Sequence, residues 1–274
     1  MPTGTGRAQA VLVGRKQLLL TLLCGIQLTS PVRKYPQATV RTAAILPVKR
    51  FAHAKQRLGA SVADPLRADL ARAMVGDVLV ALGEAASIER TIVVTSEDSV
   101  SAAARYLGAL VVEDSAEESQ SAAVTLGIER ALAESFQRVL CIPGDCPALD
   151  PAELDALLNA PDPANTSAAI DEPTVVIVPD RHGTGTNGLL LAPPDAIAPS
   201  FGPDSCERHL ALAREAGTVC RIERPPSLLL DIDTGADLAA LRERLSGAHA
   251  GAPRTRAVLG LLGHPNATPI AETG

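Results

Sequence analysis

The sequence predicts an α/β fold in which a mainly parallel sheet is covered by helices on both faces, within a single domain. Three observations carry that expectation. Short apolar runs alternate with longer amphipathic stretches, the apolar runs are rich in Val, Ile and Leu, and charged groups follow several of them directly. Strands buried on both faces read this way, and open α/β sheets bind ligands at the carboxyl ends of such strands.

The first strand is Ala43-Ala44-Ile45-Leu46, and a helix follows from about Pro65 to Ala85. Thr91-Ile92-Val93-Val94 gives a second strand and residues 99–106 a helix. Leu110-Val111-Val112 then precedes a helix over 119–134, and Val139-Leu140-Cys141-Ile142 is the next strand. This is βαβ repetition without an internal repeat. Beyond it the alternation loosens: strands at 174–178 and 187–191 predict an inserted, partly antiparallel element that closes over the ligand edge. Leu228-Leu229-Leu230 reads as a further strand ending in acid groups, with a helix from Ala236 to Leu245.

The flanks differ in character. Arg15-Lys16 precede Leu18-Leu19-Leu20-Thr21-Leu22-Leu23-Cys24, which resembles a short signal-peptide core but cannot span a membrane and lacks a good cleavage site. Residues 1–41 are therefore expected to be an unstructured or misassigned extension, 42–246 the folded domain, and 247–274 a disordered tail rich in Gly, Ala, Pro and Thr. With 25 Lys and Arg against 31 Asp and Glu, no Trp and few other aromatics, the chain suits neither a nucleic-acid backbone nor base stacking. Small molecules are the expected partners, with no nucleic acid and no membrane. Five scattered cysteines lack zinc spacing and an even count, so a cytoplasmic location is expected.

Ligand-binding signals concentrate between His182 and His209. Glycines 183, 185 and 188 let amides approach an anion, while Thr184, Thr186 and Asn187 add side-chain donors. The loop formally contains G-x-G-x-x-G, but it joins two apolar runs instead of opening a helix, so a dinucleotide loop is rejected; a plain hairpin connection is the alternative. Gly202-Pro203-Asp204-Ser205 reads as a turn entering a helix that stops at Gly217, with Asp204 and Glu207 fitting a capping box. Free amides there favour an anion beside Ser205; an ordinary helix cap is the competing reading.

Three charged groups follow apolar runs. Lys49, Lys55 and Arg57 form a cationic loop that suits a triphosphate, the lysines as point charges and the arginine as a bidentate fork. Asp145 follows Cys141-Ile142-Pro143-Gly144, where a strand breaks and presents a hard oxygen ligand for magnesium. Asp231 and Asp233 share a strand face by the period of two, so two strand ends suggest one shared metal.

In this order, with the Gly-Thr-Gly-Thr-Asn loop between the last two, these segments resemble the guanylyltransferases that act on phosphoenolpyruvate or 2-phospho-L-lactate in making coenzyme F-420. The likeness covers about residues 42–244 and includes Ile45–Lys49, Ala54–Leu58, Gly144–Pro147, Gly183–Asn187, Phe201–Ser205, Arg208-His209 and Asp231–Thr234. It implies a Rossmann-related nucleotidyltransferase fold of the glycosyltransferase-A-like type. It also implies that Thr186, Gly202 and Ser205 contact the phosphorylated acid, that Asp145 and Asp231, with Asp233 second, hold Mg2+, and that Lys49, Lys55 and Arg57 attend the GTP phosphates. Relatives carry a Leu-Asn pair near the nucleotide, and here Ser121 stands near the Asn position.

The chemistry expected is in-line attack by an acceptor phosphate oxygen on the α-phosphorus of GTP, with pyrophosphate leaving. An ionised phosphate needs no general base. Phosphoenolpyruvate is preferred to 2-phospho-L-lactate because the Ala-, Arg- and Pro-rich composition suits a high-GC bacterium. A non-catalytic nucleotide sensor and a sugar-nucleotide-forming transferase are the rival readings on the same scaffold.

Overall fold

The computed structural model describes residues 40–51, 58, 62, 64–160, 172–247 and 251–262. Their strands are β1 (Thr42–Val48), β2 (Arg90–Thr95), β3 (Leu110–Val112), β4 (Arg138–Cys141), β5 (Thr174–Pro179), β6 (Thr186–Ala192) and β7 (Val219–Ile222). The helices are α1 (Asp64–Glu84), α2 (Asp98–Tyr106), α3 (Gln120–Ala133), α4 (Pro151–Asn159), α5 (Ser205–Glu215), α6 (Gly235–Arg244) and α7 (Pro253–Leu262).

All seven strands form one sheet in the order β3-β2-β1-β4-β6-β5-β7. β1 pairs in parallel with β2 and β4, β2 with β3, and β5 with β7; β6 runs antiparallel between β4 and β5. The expected inserted element is therefore corrected. β5 and β6 are interior members of the sheet, and all of Val175–Val178 and Leu189–Leu191 are buried, which explains why neither strand shows polar alternation.

Side-chain alternation divides the core. Ala44, Leu46, Val93, Leu140, Val176 and Leu190 face α1, α2 and α4, whereas Ala43, Ile45, Ile92, Val139, Ile177 and Leu189 face α3 and α5. α1 is apolar on two sides because it is sandwiched: Ala71, Val75 and Leu82 meet the sheet, while Leu70 and Met74 join Ile232, Leu238, Leu241 and Leu259 in a third cluster with α6 and α7. α4 has its own start signals, Asp150 accepting from the Ala152 amide at 2.8 Å and Pro151 in the first turn.

Two further expectations change. Leu228–Leu230 is not a strand; Pro226–Leu228 is a 3₁₀ turn and an irregular segment continues to Thr234. Its apolar run is explained by burial of Leu228 and Ile232 in two different clusters, with no ladder pairing required. Residues 253–262 of the expected tail are helical: the Arg254 and Thr255 amides donate to Asp77 of α1 at 3.1 and 2.8 Å, so the N-terminus of α7 is capped from a neighbouring helix. Residues 1–39 and 263–274 lie outside the described residues.

Candidate active site

The carboxyl ends of β1 and β4 frame a cleft of about 500 Å³ lined by Lys49, Arg50, Phe51, Glu117, Asp145 and Asp233 together with Ala71, Met74 and Val75 of α1. A smaller adjoining cavity of about 150 Å³ shares Pro47–Lys49 and Gly144-Asp145 and adds Asp114 and Gln120. Lys49 and Asp145 thus face both spaces. Lys55 and Arg57 lie outside the described residues. Arg50, which sequence reasoning did not single out, pairs with Glu117 at 2.9 Å on the rim of the same cleft.

Asp231 is brought to Asp145 by the backbone. The Ile232 amide donates to the Asp145 carbonyl at 3.1 Å, which pins the irregular segment to the end of β4. Burial raises the Asp231 pKa, and the negative charge of Asp145 raises it further, so the two carboxylates repel across a partly dry site. A divalent cation relieves that repulsion, and magnesium commonly uses one or two protein carboxylates and completes its shell with phosphate oxygens and water. The donor set fits. Among the described residues no group of three or more His, Cys, Asp or Glu is placed to hold a metal; Asp145 and Asp231 are the two carboxylates that would hold one, and Asp233 lies on the cleft wall.

Thr234 and Asp237 form the capping box of α6: Asp237 accepts from the Asp233 and Thr234 amides at 3.1 and 2.7 Å, and its other oxygen meets Arg181 at 2.6 Å. One buried carboxylate therefore fixes both the acid-bearing segment and the start of the glycine loop.

The glycine loop is organised by Asp180, a residue without an assigned role in the sequence. Burial opposes its charge, yet the amides of His182, Thr184 and Gly185 donate to it at 3.0, 3.0 and 2.9 Å, and its pKa falls below the usual carboxylate value. At the end of the loop, Thr186 and Asn187 are buried. Asn187 Nδ2 donates to the Leu228 carbonyl at 2.9 Å and to Asp231 Oδ1 at 3.1 Å. Asn187 is the link between the loop and the acids.

Gly202 and Ser205 stand beside this loop. Gly202 has φ 113°, a backbone conformation that L side chains rarely adopt, and the Cys206 amide donates to the Thr184 carbonyl at 3.1 Å. The expected capping box is corrected here: Asp204 has φ 56° and ψ 26° and makes no side-chain cap, because capping needs an extended residue whose carboxylate can swing towards the next turn. The expected free amides are fewer as well, since those of Ser205 and Cys206 donate to Gly202 and Thr184. His209 and Ser121 hold the corner from behind. The Ser200 amide donates to His209 Nε2 at 2.9 Å, and the Phe201 amide to Ser121 Oγ at 2.8 Å.

A cleft that carries both cations and acids, a repelling acid pair and a glycine loop braced by Asp180 lie at one sheet edge, and residues 42–252 match the family described as guanylyl transferase CofC like. The chain belongs to that family. It is 48% identical over 221 residues to a phosphoenolpyruvate guanylyltransferase of Conexibacter woesei, covering 81% of this chain and 96% of the relative. It is 33% identical over 211 residues to a 2-phospho-L-lactate guanylyltransferase of Methanothermobacter thermautotrophicus, covering 77% and 88%. A putative nucleotide-diphospho-sugar transferase from Desulfovibrio desulfuricans superposes with a TM-score of 0.60 at 17% identity, covering 80% and 94%, and shows the shared fold. The fold and the enzyme class expected from the sequence are those of a CofC-like guanylyl transferase.

Proposed function

We propose that this CofC-like enzyme transfers GMP from GTP to phosphoenolpyruvate. A phosphate oxygen of the acceptor attacks the α-phosphorus, the bond from the α-phosphorus to the β-bridging oxygen breaks, and pyrophosphate leaves. The product is enolpyruvyl-diphospho-guanosine, an intermediate for coenzyme F-420 in a cytoplasmic route. The observation that carries this reading is the Asn187 bridge. It ties Asn187, the chain neighbour of Thr186 at the start of β6, to Asp231, whose carboxylate feels the charge of Asp145 on the cleft that Lys49 also lines.

In this reading Lys49, Lys55 and Arg57 attend the triphosphate, while Thr186, Gly202 and Ser205 orient the acceptor acid. Asp145 and Asp231 would hold Mg2+, with Asp233 beside them; magnesium supplies neutralisation of phosphate charge as pyrophosphate departs. The protein's own contribution is alignment of two anions that repel each other in water. The 48% identity to a phosphoenolpyruvate guanylyltransferase favours that acceptor over 2-phospho-L-lactate.

The test is a product assay with purified protein, Mg2+, each NTP in turn and one acceptor at a time: phosphoenolpyruvate, 2-phospho-L-lactate or a hexose 1-phosphate. Mass detection should find the guanosine adduct of phosphoenolpyruvate together with pyrophosphate. Faster turnover of 2-phospho-L-lactate would reassign the acceptor, and turnover of hexose phosphate alone would overturn the reading.

A further inference from the structure

Thr186 and His209 form a buried pair whose polarity the backbone decides. Thr186 Oγ1 lies 3.0 Å from His209 Nδ1, and the Ser200 amide donates to His209 Nε2 at 2.9 Å. An amide N–H can only donate, so Nε2 carries the lone pair and the proton of the neutral ring resides on Nδ1. Nδ1–H then donates to Thr186 Oγ1. A hydroxyl that accepts in this way keeps its own hydrogen for another partner.

The surroundings hold the ring in that state. His209 is fully buried, Phe201 packs edge-on against it with centroids 5.0 Å apart, and Arg208 donates to the carbonyls of Ser200 and Phe201 at 2.9 and 3.1 Å. Burial, reinforced by the adjacent Arg208 charge, drives the His209 pKa down to about 4, so the ring stays neutral around pH 7. Ser205, also buried, lies one turn earlier on the same face of α5.

We propose that His209 is a positioning residue that fixes the Thr186 hydroxyl as a hydrogen-bond donor to the anionic acceptor, through the single tautomer that the Ser200 amide permits. The proposal rests on the acceptor role of Thr186 in the function proposed above. Its chemical consequence is a hydroxyl hydrogen that the ring never consumes, so a carboxylate or phosphate oxygen of the acceptor always meets a donor at Thr186.

Two readouts test it. In the full-length protein, long-range 15N–1H spectra of the labelled imidazoles should show His209, assigned by its loss in His209→Gln, as the Nδ1–H tautomer from pH 6 to 8. An Nε2–H or doubly protonated ring overturns the proposal. In steady-state kinetics, Thr186→Val and His209→Phe should each raise KM for phosphoenolpyruvate roughly 10- to 100-fold and leave KM for GTP within about 2-fold. The double variant should be little worse than either single one, because the ring acts through the hydroxyl. His209→Asn, whose amide reaches the Nδ1 position and still donates, should recover much of the loss. If the two single effects multiply, or if KM for GTP rises equally, the histidine is a packing residue only. Should Thr186→Val raise the acceptor KM while the His209 variants do not, the proposal fails and the acceptor site stands; an unchanged KM in Thr186→Val removes both.

Discussion

Asp231 is pulled in opposite directions. Burial and the charge of Asp145 raise its pKa above the ordinary 3.8, while the Asn187 amide favours the charged form. The folded state therefore prefers the proton. The stability that this confers is fully present below the unfolded pKa and is lost as pH rises through the folded value. At neutral pH, Asp231→Asn should raise the melting temperature while lowering turnover at least ~100-fold, a combination read by calorimetry and pyrophosphate release. Asp145→Asn should abolish turnover with the fold retained, and near-normal pyrophosphate release would remove Asp145 from the metal site. His209 has the opposite sign: its pKa is depressed from 6.5 to about 4, so its contribution is full above 6.5 and disappears as pH falls through 4. His209→Gln should flatten the acid limb of the stability curve, removing a pH-dependent component of about 3 kcal/mol at most. Residue types were readable in the chain where a charge follows an apolar run, as at Lys49 and Asp145. Asn187 and Ser121 were harder to read, because their partners Asp231 and Phe201 are 44 and 80 residues away.

Elements were legible where burial and period agree. The βαβ half, from β1 to β4, has interior strands buried on both faces and helices that pack on the sheet, and its boundaries lie within a few residues of those expected. The run at 228–230 misled because buried apolar spacing is the same in a strand and in an extended segment threading between clusters. α4 carried a readable Asp-Pro start at 150–151 that the βαβ pattern alone did not reveal. One close approach makes a test at this scale. A Cβ added at Gly127 of α3 would lie 2.5 Å from Ile45 Cγ2 of β1 and 3.2 Å from Val94 Cγ2 of β2. Gly127→Ala should therefore destabilise by about 1–3 kcal/mol despite the better helix propensity of alanine, because helix and sheet must separate. A chemical denaturation midpoint equal to the parent's would contradict that packing.

Across the whole molecule, the third apolar cluster ties α7 to α1 and α6 and to Ile232, between the acids Asp231 and Asp233. α7 lies beyond the stretch matched to the family, which ends at residue 252, yet it buttresses the helix whose Ala71, Met74 and Val75 line the cleft. Deleting residues 253–274 strips Asp77 of two amide donors and uncovers Met74 and Leu70. It should cost about 3 kcal/mol, roughly 6–12 °C in melting temperature, and raise KM for GTP more than KM for the acceptor. Equal changes in both constants would show that the buttress serves the whole edge. Strand polarity has its own outcome. Six strands deliver residues to the ligand edge as they end, but β6 runs the other way and delivers Thr186 and Asn187 as it begins. On the proposed function, the nucleotide side of the edge draws on chain up to residue 145 and the acceptor side on residues 180–209. Acceptor preference would then be revised within one cassette, tied to Asp231 through Asn187.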